Sequence, residues 1–216
     1  MTAPKFTAAL AKEYNDLFNR CKIAPDKMAE VEEVVQRILQ YQNRYASIAA
    51  QSNVPWYVIA VIHNMECGLD FTKHLHNGDS LKRRTINVPA GRPETGKPPF
   101  TFEESALDAL EYDGFTVWSN WSIGGICYKL EGYNGWGYRA HNINSPYLWS
   151  YSNLYTRGKF IRDNVWSDKA VSGQCGAAVI LRRMSDDGDI DLASALSSKL
   201  TDAATLAEVP RHLFDD

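Results

Sequence analysis

The sequence lacks several features that would place it at once. It has no apolar run near the roughly 20 residues that a membrane-spanning helix needs, so no stable membrane insertion is expected. It has no excess of one charge: the net charge is -3 and the pI about 6.0, which argues against a global basic field for nucleic acid. The one basic run, Lys82-Arg83-Arg84, reads as a solvated loop face. There is no CxxC pair. Cys21, Cys67, Cys127 and Cys175 are scattered and read as free, buried thiols of a reducing compartment. Internal repeats and low-complexity tracts are absent. The first ten residues show no basic stretch followed by an apolar core, so no secretory signal is visible, and synthesis in the cytoplasm is the expectation.

What is present is an ordinary globular composition with one bias. The chain has 216 residues, 44% of them hydrophobic and 23% charged. A chain of that length buries roughly 70% of its unfolded surface and needs no disulfide or metal staple. Most of its six Trp and eleven Tyr lie between positions 112 and 166. Such rings fill cores, but they also stack on the apolar faces of sugars.

Hydrophobic spacing predicts a mainly α fold, with a small β region. Residues 26–52 read as one long amphipathic helix, with apolar positions at Met28, Val31, Val34, Val35, Ile38, Leu39 and Tyr45. Pro55 marks a new start, and Trp56–Met65 is so uniformly apolar that its helix must be buried. That helix ends at Glu66-Cys67-Gly68, with Gly68 as its C-terminal cap. The Gly- and Pro-rich stretch 69–100 reads as a loop holding a small β-hairpin, with Thr85–Val88 as a strand. Thr101 and Glu104 form a capping box for a helix reaching Tyr112. Further helices are predicted at 120–131 and from Ser167 to Met184, with ordered loops and short helices over 132–163. A domain of residues 1–184 is expected, followed by an acidic tail, 185–216, with a weakly amphipathic stretch at 191–200.

The chemistry centres on Glu66. A carboxyl at the end of a buried helix has its pKa raised toward neutrality by desolvation, which suits a general acid. The run Val54–Phe71 resembles the first motif of the lysozyme superfamily, which includes soluble lytic transglycosylases and goose-type lysozymes. In that motif a buried helix delivers a Glu followed by a small residue and Gly, as Glu66-Cys67-Gly68 does here, with Cys67 replacing the more usual Ser. Glu131-Gly132-Tyr133-Asn134-Gly135 is similar to a second motif of those transglycosylases, and Ser145–Lys159 resembles a segment of phage-type and bacterial lysozyme-like proteins. The resemblance covers about residues 26–184.

It implies a lysozyme-like fold, a cleft for peptidoglycan glycan strands, and cleavage of the MurNAc–GlcNAc β-1,4 bond with Glu66 as the acid. It also implies an enzyme that reaches the wall after release, as phage endolysins do. A monomer without cofactor or metal is expected.

Hydrolases of the superfamily add a second carboxylate to serve water. Asp79 is the candidate, with Thr85 six residues on, as in phage-type lysozymes, although the Glu-to-Asp interval is longer here. Asp70 is too close to the helix end to cross a cleft. Substrate contacts are expected from His76, Asn77, Tyr133, Asn134, Gly135, Trp136, Tyr147 and Tyr151. The His74/His76 pair could suggest zinc, but no further ligand stands nearby in sequence. Three alternatives remain open: a lytic transglycosylase using Glu66 alone, a non-catalytic glycan-binding protein, and a helical interaction protein docking through 26–52.

Overall fold

A computed structural model describes residues 3–162 and 164–192. Eight α-helices surround one core, and the β structure is a single two-stranded sheet among the described residues. The predicted mainly α class is therefore observed.

The helix α4 (Trp56–Cys67) is the axis of the fold, and Val58 to Asn64 are all buried on it. Around it pack α2 (Met28–Gln40), α3 (Gln42–Ser52) and α8 (Ala177–Asp186). The chain leaves α4 where predicted. Gly68 takes φ 60°, and its N–H returns to Asn64 O at 3.0 Å. A side chain would be strained in that left-handed conformation, so glycine closes the helix with Glu66 in its last turn.

The expected single helix over 26–52 is divided. A 3-10 turn at Pro25–Lys27 leads into α2, and Tyr41 leaves helical geometry (φ -110°, ψ 15°) before α3 begins. The break turns α3 onto α4, where Tyr45 is fully buried with its hydroxyl 2.9 Å from His63 Nδ1. Apolar spacing continues through the break, which is why it reads as one helix.

The capping box is present: Thr101 Oγ1 accepts from Glu104 N, and Glu104 Oε2 accepts from Thr101 N at 2.7 Å. It opens α5 (Phe102–Tyr112). The helix predicted at 120–131 begins later, as α6 (Ile123–Asn134), because Asn120 and Ser122 are occupied in capping it. Its last turn thereby carries Tyr133 and Asn134. Helix α1 (Ala8–Arg20), which the hydrophobic spacing did not single out, lies along α6. Gly124 permits that closeness, since a Cβ there would stand 2.8 Å from Ala11 O.

The β prediction was misplaced. Residues 69–100 form no strand; only an isolated bridge joins Lys73 to Ser80. The backbone donors of Ile86 and Asn87 go to the Asp79 side chain instead of a partner strand, and the prolines supply no N–H. The hairpin lies later, as β1 (Lys159–Arg162) and β2 (Val165–Ser167). Part of the predicted 167–184 helix is thus strand and loop. Helix α8 starts only after Gly176, which packs so tightly on the Leu148 carbonyl of α7 (Pro146–Trp149) that a Cβ has no room.

All four cysteines are buried and unpaired, as expected. Helix α8 runs past the expected boundary at 184, and Ile190 and Leu192 still join the core. The predicted tail beyond residue 192, with most of the 191–200 stretch, lies outside the described residues.

Candidate active site

Glu66 sits in the last turn of α4, with its carboxyl withdrawn from solvent. Desolvation raises its pKa from the ordinary carboxylate value to about 7, and the negative charge of Asp113 acts in the same direction. Tyr147, at the start of α7, opposes this by donating to Glu66 Oε1 at 3.0 Å. Burial also lifts the Tyr147 and Tyr133 hydroxyls well above their usual range, so both stay protonated donors. Tyr133 donates to Leu75 O at 3.1 Å, which ties the end of α6 to the 74–79 loop. That loop packs against the end of α4: a Cβ at Gly78 would stand 3.1 Å from Glu66 O.

Two cavities flank this cluster. The larger, about 500 Å³, is walled by Met65 and Tyr147 beside Glu66, by Asn134 and Gly135 from the end of α6, and by the β1 strand. Glu66 itself does not line this cavity and is linked to it through Tyr147. Gln174 fixes this wall by donating to Met65 O at 2.8 Å. The smaller, about 230 Å³, is lined by Asp113, Tyr133, Trp136 and Lys129. The second and third sequence motifs therefore do converge on Glu66, although Tyr133 and Trp136 face a different cavity from Asn134, Gly135 and Tyr147.

Other predicted residues are occupied elsewhere. The Asp79 carboxylate accepts from Ile86 N at 2.8 Å, Asn87 N at 2.9 Å and Asn87 Nδ2 at 2.7 Å. These backbone bonds from Ile86 and Asn87 help hold its pKa below the usual value despite some desolvation. Thr85 is buried; its hydroxyl donates to Pro89 O and accepts from Arg92 N at 2.9 Å. The pair expected to orient water instead clamps the 77–92 loop. Asn77 reinforces it by donating to Asn87 O at 3.1 Å. His76 is buried against Asp108 (2.8 Å), which also holds Arg92 by two bonds of 2.8 Å. Tyr151 is turned away: its hydroxyl lies 2.8 Å from Glu30 Oε2 and 2.7 Å from Gly173 O, two acceptors that must share one proton. None of Asp79, Thr85, His76, Asn77 or Tyr151 lines either cavity.

Among the described residues no group of three or more His, Cys, Asp or Glu is placed to hold a metal ion. Both ring nitrogens of His74 are engaged, with Ser105 Oγ at 2.8 Å and Arg83 O at 2.7 Å. Nor is any described helix long and apolar enough to cross a membrane.

The sequence reading missed Asp113. Burial raises its carboxyl to about pKa 6, while Lys129 and Arg92 hold it lower than burial alone would. Lys129 Nζ also donates to the Asp113 carbonyl at 3.0 Å. No local signal marks a carboxylate at the end of α5, because it meets Lys129 and Tyr133 of α6 only in the folded chain.

The Asp79 assignment has a direct test. Asp79→Ala leaves three donors without their acceptor, so limited proteolysis is expected to speed up within residues 83–97, with any turnover at saturating substrate kept within about tenfold. A thousandfold loss of turnover from a loop as protease-resistant as the wild type would return Asp79 to the reaction. Tyr147→Phe tests the other contact: without the donated bond the protonated form of Glu66 is favoured, and the alkaline limb of the pH–rate profile should move to higher pH. A shift to lower pH would contradict this arrangement.

Compared with family models, with curated proteins and with solved structures, the chain matches none.

Proposed function

We propose that the protein is a glycosidase of the bacterial cell wall with a lysozyme-like fold, cleaving the MurNAc–GlcNAc β-1,4 bond with Glu66 as general acid. The observation that carries the reading is a desolvated carboxyl with a pKa near 7, braced by Tyr147 beside a cleft of about 500 Å³. Near neutrality such a group is protonated often enough to give its proton to the glycosidic oxygen, and it leaves as a carboxylate beside the positive charge developing on the sugar. Tyr138, Tyr147 and Phe160 in the cleft wall offer apolar ring surface to pyranose rings. The proposed substrate lies in the wall, so the protein acts after release or export.

If water is the nucleophile, the enzyme is a muramidase. Asp79 is engaged in its own loop, and Asp113, within electrostatic reach of Glu66, lines the smaller cavity and not the cleft. A second reading, a lytic transglycosylase, is favoured by the same engagement of Asp79 and Thr85. There the sugar's own 6-hydroxyl closes on the anomeric carbon, and Glu66 suffices.

Mass spectrometry of digested peptidoglycan separates the two. Reducing MurNAc ends identify hydrolysis and 1,6-anhydro ends the cyclisation. The appearance of neither would leave a cleft that binds glycan without cutting it, and the proposal would fail.

A further inference from the structure

One wall of the larger cleft is strand β1 of the hairpin, and its chemistry is specific. Lys159, Phe160, Ile161 and Arg162 all line the cavity. Arg44, Arg92, Arg139, Arg182 and Arg183 sit against carboxylates. Lys159 and Arg162 have no ion-pair partner among the described residues, and no Asp or Glu among those residues lines the cleft. Asp163, next to Arg162 in sequence, lies outside the described residues.

Lys159 and Arg162 stand at the two ends of β1, and the hairpin's register puts them on one face. Phe160 pairs with Trp166, yet Arg162, not Ile161, pairs with Val165, so β1 carries one extra residue. Such a bulge shifts the strand's alternation by one position and brings Arg162 into phase with Lys159. The hairpin itself is anchored. Phe160 packs on Tyr138 and Trp166 at 5.3 and 5.1 Å, and a Cβ at Gly137 would stand 2.9 Å from the Phe160 ring. Ile161, 57% exposed, adds apolar surface to the same cavity wall.

We infer that this hairpin wall is a carboxylate-recognition subsite: Lys159 and Arg162 take an acid group borne on a short apolar stem of the glycan, and Ile161 packs on the stem. A neutral chitin-like strand has no such group. A peptidoglycan strand has two sources, the lactyl carboxylate of MurNAc and the carboxylates of an attached stem peptide. The inference rests on the glycosidase reading for its substrate class, but it concerns binding and not turnover.

The test uses the full chain carrying Glu66→Gln, so that ligands bind without being cut. Calorimetric affinities are measured for a neutral GlcNAc tetramer, a peptide-free GlcNAc–MurNAc tetramer and the same strand bearing stem peptides. The anionic strands are expected to bind about tenfold more tightly than the neutral one, with the advantage shrinking as salt is raised. With Lys159→Gln and Arg162→Gln added, the ratio should fall to near one. Preference for the peptide-free anionic strand assigns the site to the lactyl group; preference appearing only with the peptide assigns it to the stem. An unchanged ratio, or equal loss for all three ligands, overturns the subsite while leaving the Glu66 assignment to its own assay. Thermal unfolding of the double variant checks folding, and Lys159→Arg should retain the preference.

Discussion

Replacing Glu66 by Gln is expected to reduce the clearing of a bacterial cell-wall suspension by at least about a thousandfold, with the fold intact. Gln keeps the size and the contact with Tyr147 but has no proton to give. General acid catalysis by a positioned side chain typically contributes ~10²–10⁴ in rate, and in a site where the same carboxyl also faces the developing positive charge the upper part of that range applies. In the wild type, turnover should fall as pH rises through about 7, because the acid must be protonated.

The same substitution should change stability in the opposite sense. The folded pKa of Glu66 lies above its unfolded value, so the native state holds a proton that the unfolded chain releases. Stability is therefore lost as pH rises from about 4.5 toward 7, by on the order of 3 kcal/mol once both states are ionised. Glu66→Gln removes that loss and should melt higher than the wild type above pH 7, with little difference near pH 4. A variant that retains turnover, or that gains no stability at alkaline pH, would remove Glu66 from its central place.

The second large effect is expected far from the cleft. Glu131 is buried on α6 and is held by three groups: Tyr14 Oη at 2.5 Å, Arg139 Nε at 3.0 Å and Arg139 Nη2 at 3.0 Å. Arg139 also reaches Tyr14 Oη at 2.8 Å and Glu13 at 3.1 Å, so one guanidinium ties the 3-10 helix Trp136–His141 to α6 and α1. Removing one partner of a buried ion pair strands the other charge, at a typical cost of about 3–5 kcal/mol. Arg139→Ala is expected to lose that much, lowering the melting temperature by roughly 10 °C.

Adding Glu131→Gln to Arg139→Ala should recover part of the loss, since the stranded carboxylate is then gone. A melting temperature within 2 °C of the wild type for Arg139→Ala would show that the pair contributes little. Because Gly137 and Tyr138 of the same 3-10 helix line the larger cavity, a loosened Arg139 variant should also weaken the proposed glycan binding.

These two sites show what could be read from residue order. The apolar run before Glu66, the glycine after it and the capping box at Thr101 depend on neighbours a few residues apart, and all three appear as expected. Glu131 reads as part of a cleft motif, yet its carboxylate faces Tyr14, 117 residues away, and holds the fold together. Asp79 and Thr85 have the spacing of a water-binding pair, but spacing does not say which donors reach a carboxylate first. Here Ile86 and Asn87 do, and the loop absorbs both side chains.

The helical class, the burial of α4 and the delivery of Glu66 at its end follow from the sequence alone. Period, caps and breakers act over one or two turns and need no distant partner. Tertiary structure decided which carboxylate stands near Glu66, which tyrosine braces it, and that the hairpin sits at 159–167 and not in the proline-rich loop. Those outcomes depend on contacts between residues far apart in the chain. Asp113, at the end of α5, acts on Glu66 only in the folded chain, and Tyr147 reaches Glu66 only because α7 packs against α6 and α8. Desolvation, which raises the pKa of Glu66 to about 7, is a property of that packing and not of any local pattern.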